Sequence, residues 1–248
     1  MRYKFLILAC LVLCLLGCTA QEPITTTLPP QTQPPTTMAT AAPTETTAPV
    51  ETTEPPTEPP VYISPLAVED LLLPVEEYSW EREYAAEYVM IHFTSAVTTH
   101  RDDPYNMQAI RDIFVEYNIS VHYIIGRDGT VYCYVPEDRV AWHAGAGQWL
   151  EDEKYTNTMN QYAIGIELAA IGSESDMSIY LTPAEYRALD DSLKGFTDAQ
   201  YAALQLLVED ICQRNEIPMD RAHVIGHQEY STRKPDPGML FDWSKILP

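Results

Sequence analysis

Apolar side chains are distributed in three regimes along the chain. They run without interruption from Phe5 to Leu16, almost vanish between Thr19 and about Pro60, and return from Val61 in periodic patterns. Tyr88-Val89-Met90-Ile91-His92-Phe93 is a short apolar run of the kind that forms a buried strand. Met107 to Tyr117 places Ile110, Phe114, Val115 and Tyr117 at helical spacing. Val121–Ile125 and Thr130–Val135 read as two strands joined by Gly126-Arg127-Asp128-Gly129, whose Asp-Gly pair suits a tight hairpin. Tyr162–Ala169 is another buried strand and Val224-Ile225 a last short one. Thr182-Pro183-Ala184-Glu185 opens a helix with an N-cap, a proline at the first position and an acid at the third. Thr197-Asp198-Ala199-Gln200 opens a longer helix carrying Tyr201, Leu204, Leu207, Val208 and Ile211. The pattern predicts an α/β fold: a single domain over 87–248 with a central mixed β-sheet flanked by helices. A domain of that size can bury one good core. Residues 63–86 form a lead-in whose Leu71-Leu72-Leu73 and Trp80 can pack on the domain. Residues 172–195 look like an insertion before the Thr197 helix.

The first apolar run changes the expected address of the protein. Arg2 and Lys4 precede it, and a basic start with a short apolar core is a secretory signal, too short for an ordinary spanning helix. It ends in Leu15-Leu16-Gly17-Cys18, which resembles a bacterial lipobox. The expectation is a signal peptide over 1–17, lipidation of Cys18, and an exported lipoprotein that faces the cell wall and meets the membrane only through its N-terminal lipid. Residues 18–62 contain the lipidated Cys and a Thr/Pro-rich tether. Such a composition cannot bury enough apolar surface to offset its ordering entropy, so disorder is expected there.

Charge and cysteines narrow the class further. The formal net charge is −21, which argues against nucleic acid and against an anionic lipid surface as partners. Of five cysteines, Cys10, Cys14 and Cys18 belong to the leader. Cys133 and Cys212 remain, too few for a disulfide framework; export permits one bond between them, and two buried thiols are the favoured reading.

Six histidines are present, and two sit at strand ends. His92 closes a buried strand, and His227 follows Val224-Ile225-Gly226. Beyond His227 lies Lys234-Pro235-Asp236-Pro237-Gly238, a loop stiffened by two prolines. Two imidazoles, one carboxylate and an open position make a catalytic zinc site, but these residues lie far apart in sequence, and satisfied core or surface histidines fit the same spacing.

Several segments together resemble the zinc-dependent N-acetylmuramoyl-L-alanine amidase family, whose fold is shared with peptidoglycan recognition proteins. They are Ile91-His92-Phe93-Thr94, Val121-His122-Tyr123-Ile124-Ile125 with Asp128-Gly129, Ala141-Trp142-His143-Ala144-Gly145, Ile164-Gly165-Ile166-Glu167-Leu168, and Gly226-His227 followed by Lys234 and Asp236-Pro237-Gly238. They occur in the family's order over roughly 87–243. The resemblance implies one Zn2+ per domain held by His92, His227 and Asp236, with Glu167 and Lys234 as the catalytic pair. His143 and Trp142 are the substrate-binding candidates, and Trp149 and Tyr155 are further aromatic candidates for a groove. In some relatives a tyrosine acts just before the His-aromatic pair. Val121 stands there, which assigns this chain to the branch with an aspartate ligand and leaves the proton chemistry to Glu167. The implied activity is cleavage of the amide between N-acetylmuramic acid and L-alanine of the stem peptide, by a monomer acting on peptidoglycan or muropeptides.

Other readings stay open at this stage. A non-catalytic peptidoglycan-binding lipoprotein is the alternative; members of the wider fold with that role have lost a zinc ligand, whereas all three proposed ligands are present here. A zinc peptidase of the commonest kind would need a His-Glu-x-x-His helix, which the sequence lacks. A surface adhesin would account for the anchor and the tether but not for the ordered motifs. His122 is expected to be a hydrogen-bonded structural histidine, and His100 and His223 structural or exposed.

Overall fold

A computed structural model describes Ser64 and residues 66–247. The leader, Cys18 and the Thr/Pro-rich tether lie outside the described residues.

The chain forms β1 (Val68–Asp70), α1 (Val75–Tyr78), β2 (Ser79–Glu81), β3 (Tyr88–Thr94), α2 (Met107–Glu116), β4 (Tyr123–Ile125), β5 (Val131–Cys133), β6 (Arg139–Ala141), β7 (Ala163–Ala169), α3 (Pro183–Arg187), α4 (Asp198–Arg214), β8 (Val224–Gly226) and α5 (His227–Tyr230). Six strands make one sheet in the order β1-β5-β4-β7-β3-β8. Only the β4–β5 hairpin is antiparallel; the remaining neighbours run parallel. β2 and β6 pair separately as an antiparallel ribbon. Among the described residues no helix is long and apolar enough to cross a membrane.

Strand side chains alternate between the two faces of the sheet. Val89 and Ile91 of β3, with Ile164, Ile166 and Leu168 of β7, pack against Leu204, Leu207, Val208 and Ile211 of α4. Met90 and His92 occupy the opposite face of β3. α4 begins with a capping box between Thr197 and Gln200, and α3 with another between Thr182 and Glu185 behind Pro183, so both starts follow the pattern expected from the sequence. Asn106 caps α2 by accepting from the Ala109 N–H.

The lead-in contributes more than packing. Val68–Asp70 adds the edge strand beside β5, and Ser79–Glu81 pairs with β6. Leu73 is buried, whereas Leu72 and Trp80 stay substantially exposed. Cys133 and Cys212 are both free and buried.

Candidate active site

The parallel strands β3, β7 and β8 end side by side, and the crevice beyond such carboxyl ends is where α/β sheets place ligands. The register sets His92 of β3 directly opposite Glu167 of β7. On the other flank Ile91 lies opposite Gly226 of β8, so His227, the next residue, emerges beside His92. The Lys234–Gly238 loop then returns over the same end and delivers Asp236. The Gln228 N–H donates to the Asp236 carbonyl at 2.8 Å and fixes that return.

Three donor atoms converge there. His92 Nδ1 lies 2.8 Å from Asp236 Oδ2, His227 Nδ1 lies 3.0 Å from the same oxygen, and the two Nδ1 atoms are 3.0 Å apart. All three residues are buried and form a group able to hold a metal ion. The hydrogen bonds around them test that fit. His227 Nε2–H donates to the Ala144 carbonyl at 2.9 Å, which leaves Nδ1 as the ring atom facing His92 and Asp236. Two imidazole Nδ1 atoms thus crowd one carboxylate oxygen and lie 3.0 Å from each other inside the protein. His92 can supply at most one Nδ1 proton to its two neighbours, and burial, followed by the nearby His227, pulls its pKa down to about 4, so it stays neutral. Two imidazoles and a carboxylate aimed at one point are the donor set of a divalent cation such as zinc. An outer hydrogen-bond partner of the kind the Ala144 carbonyl gives His227 is usual for histidines that hold a metal.

His143 completes this inner layer. Its Nδ1 lies 3.0 Å from His92 Nε2, and its ring packs flat on Gly165, where a Cβ would fall 2.6 Å from His143 Cγ. Gly165 is therefore a close-approach position: any side chain on β7 there would displace His143. The backbone N–H groups of His143 and Ala144 both donate to Asn160 Oδ1, at 3.0 and 2.8 Å.

Glu167 is buried, and its Oε2 has no hydrogen-bond partner. Burial raises its pKa well above the ordinary carboxylate value, Asp236 adds to the rise and Lys234 opposes it. Lys234 itself is exposed at the rim.

His92, His227, Asp236, Glu167, Lys234, His143 and Trp142 all line one cleft of about 480 Å³. The structure thus brings together the residues singled out in the sequence, with two exceptions among the aromatic candidates. Trp149 faces a different hollow beside Tyr230 and Arg233, and Tyr155 is buried in packing against Tyr88 and Tyr162. Trp142 stacks on Trp80 at 5.8 Å between centroids, which gives the exposed Trp80 of the lead-in a place beside the cleft wall. His122 is buried just before β4 and accepts from the Gly165 N–H. His100 is exposed, and His223 is half-buried against Tyr88 and Asp220.

Some cleft residues had no signal in the sequence. Met177 and Tyr180, from the 172–195 segment, line the cleft, as does Tyr117 at the end of α2. Asn160 belongs to no motif.

The N-acetylmuramoyl-L-alanine amidase family profile matches residues 82–239, and the chain belongs to that family. The 1,6-anhydro-N-acetylmuramyl-L-alanine amidase AmpD of Haemophilus influenzae is 32% identical over 130 residues, 52% of this chain and 57% of that protein. The N-acetylmuramoyl-L-alanine amidase AmiD of Escherichia coli K12 is 30% identical over 137 residues, covering 52% of this chain and 43% of that protein. The chain thus spans about half the length of the curated relatives it matches. A crystal structure of a selenomethionine AmpD derivative superposes with a TM-score of 0.50 at 24% identity, over 75% of this chain and 97% of that one, and shows the shared fold.

Proposed function

We propose that this protein is a zinc-dependent amidase that hydrolyses the bond between N-acetylmuramic acid and L-alanine in peptidoglycan or its fragments. The observation that carries the reading is the pairing, across one sheet register, of a metal-ligand histidine with a buried carboxylate oxygen that has no partner. A polar atom left unsatisfied in the interior is costly, and here it faces a cleft large enough for a glycopeptide fragment. Family membership and the activities named for AmpD and AmiD support the same choice.

The division of labour follows from the chemistry of each group. Bound zinc would polarise the amide carbonyl and lower the pKa of a coordinated water to about 7. Glu167, with its proton affinity raised by burial, is suited to take the proton from the attacking water and hand it to the leaving nitrogen. Lys234 reaches the cleft from the rim and offers positive charge to the carbonyl oxygen as it becomes anionic. His143 and Trp142 face the substrate from the floor and wall. Digestion of purified peptidoglycan, with mass spectrometry of the products, tests the proposal: stem peptides with free L-alanine amino termini are expected. Binding to the wall without such products, by folded and zinc-loaded protein, would favour the non-catalytic reading.

The membrane anchor belongs to the same proposal and rests on Leu15-Leu16-Gly17-Cys18 alone. Cys18→Ser should release the protein from washed membranes; retention there would refute the anchor.

A further inference from the structure

The geometry points to Asp176 as a positioning residue for the metal centre: its carboxylate, supplied by the 172–195 segment, holds the loop that presents Asp236. This inference rests on the metal reading of His92, His227 and Asp236.

Asp176 is 7% exposed. Its Oδ2 accepts from the Ser173 N–H at 2.9 Å and the Ser173 hydroxyl at 2.7 Å. The same oxygen accepts from the Met239 N–H at 3.2 Å, three residues beyond the proposed ligand. The carboxylate also lies flat on Gly238. A Cβ there would fall 2.5 Å from Asp176 Oδ2 and 2.8 Å from its Cγ, and Gly238 has φ +78°. The contact and the left-handed backbone both demand glycine. Asp176 and Gly238 therefore interlock, with no room for a side chain between the segment and the loop.

The remainder of the loop is held from the opposite side. The Lys234 N–H donates to the Ser231 carbonyl at 3.0 Å and the Gln228 N–H to the Asp236 carbonyl at 2.8 Å. Pro237 covers Gly226, with its Cδ 2.7 Å from where a Cβ would stand. Asp236 thus sits between two clamps: strand β8 with α5 on one side, Asp176 on the other. A buried carboxylate whose hydrogen-bond donors are all neutral is an expensive choice for mere packing. Its position is explained if it fixes the loop, because metal ligands must be held to about 0.5 Å. Asp176 also opens the short helix Asp176–Ile179, and the adjoining Met177 and Tyr180 line the cleft. One turn of chain therefore shapes the substrate wall and steadies the metal loop.

The test compares Asp176→Ala, Asp176→Asn and Tyr186→Phe with the wild type in the full chain. Tyr186→Phe removes the hydrogen bond from the Tyr186 hydroxyl to the Gly172 carbonyl. It weakens the same segment without touching the metal loop. Zinc affinity is measured by competition with a chromophoric chelator, coordination by the visible spectrum of the cobalt-loaded protein, and stability by melting in chelator. Asp176→Ala should bind zinc ~10–100-fold more weakly, as is typical when an outer support of a metal ligand is lost, with altered cobalt bands. Asp176→Asn, which keeps one oxygen for the Met239 N–H, should fall between. Tyr186→Phe should melt lower yet bind zinc as the wild type does. Wild-type affinity in Asp176→Ala overturns the inference, and so does an equal loss in Tyr186→Phe. If the alanine variant does not fold, the asparagine variant against Tyr186→Phe decides in the same way. A wild type that binds no zinc, or keeps it after His227→Ala, removes the metal centre itself, which is a different result.

Discussion

Two buried polar clusters sit on the same sheet, and their bonding differs. Around Arg82 and His122 nearly every polar atom is matched. Arg82 Nε donates to the Glu137 carbonyl at 2.8 Å, Nη1 to the Gln161 carbonyl at 2.7 Å and Nη2 to the Arg139 carbonyl at 3.1 Å. His122 Nδ1 accepts from the Gly165 N–H, and its Nε2 lies 3.1 Å from both the Arg139 carbonyl and Arg82 Nη2. Burial, and after it the Arg82 charge, pulls the His122 pKa down to about 3, so that ring is a neutral structural element. Its centroid lies only 5.7 Å from that of His143, where the second cluster begins. There Glu167 Oε2 and His143 Nε2 lack partners, and two imidazole Nδ1 atoms crowd one carboxylate oxygen. Burial is common to both clusters. What separates them is unspent hydrogen-bonding and ligating capacity, which is what the proposed activity requires of the second cluster.

The largest effect should come from deleting a ligand. His227→Ala takes away one of three donors and should reduce zinc from near one per chain to near zero, with wall cleavage falling below detection. Metal analysis of the purified variant checks this, and near-stoichiometric zinc would break the ligand assignment. Next is Glu167→Gln, which should keep zinc while cleavage slows by about 10²–10⁴-fold, the usual contribution of a general acid–base group. The same substitution sharpens the contrast through stability. A carboxyl whose folded pKa is raised imposes no penalty at pH values below its unfolded pKa. The penalty grows as pH rises from there to the folded pKa. At neutral pH the metal-free Glu167→Gln protein should therefore melt above the metal-free wild type. A lower melting temperature would place Glu167 with the structural cluster.

Arg82→Ala should behave in the opposite way. Several backbone carbonyls would lose a charged donor at once, a loss of about 3 kcal/mol, while the folded fraction binds zinc and turns over as before. Chemical denaturation with zinc titration of the folded protein separates the two. A change in zinc affinity larger than the change in stability would join the clusters into one.

The sequence made the two histidines proposed as ligands legible, because both end apolar runs with β character. It also marked the helix starts, where Thr182 and Thr197 carry their capping partners three residues on. The register that sets His92 against Glu167 was not legible from periodicity, since it depends on which distant strands pair. The resemblance of whole motifs implied only that the two residues serve one site. β1 escaped notice because Val68-Glu69-Asp70 is exposed at every position, so it carries no alternation to detect. The Asp176 clamp was hidden for a related reason: one acid in a polar stretch looks like surface until the fold buries it under Gly238. Trp149 and Tyr155 show the converse, since aromatic residues near a motif were as ready to pack as to bind.

The smallest expected effect sets the baseline for the comparison, because it tests burial with no chemistry attached. Cys133 and Cys212 lie in the α4 side of the core as free thiols. Burial pushes each pKa up to about 11, so at neutral pH the reactive thiolate is scarce, and the surrounding apolar side chains block reagents as well. A buried thiol is in effect a small apolar group and needs no partner. Native protein treated with iodoacetamide at neutral pH should therefore show almost no modification on the peptides containing these two residues, while denatured protein should be modified at both. A reducing agent should leave the melting temperature unchanged. Rapid labelling of either residue in the native state would mean that the α4 face opens readily. A melting temperature that falls in reductant would mean that the two sulfurs are joined. Either result would add a third kind of buried cluster to the two compared here, one governed by redox state rather than by matched bonds or a bound ion.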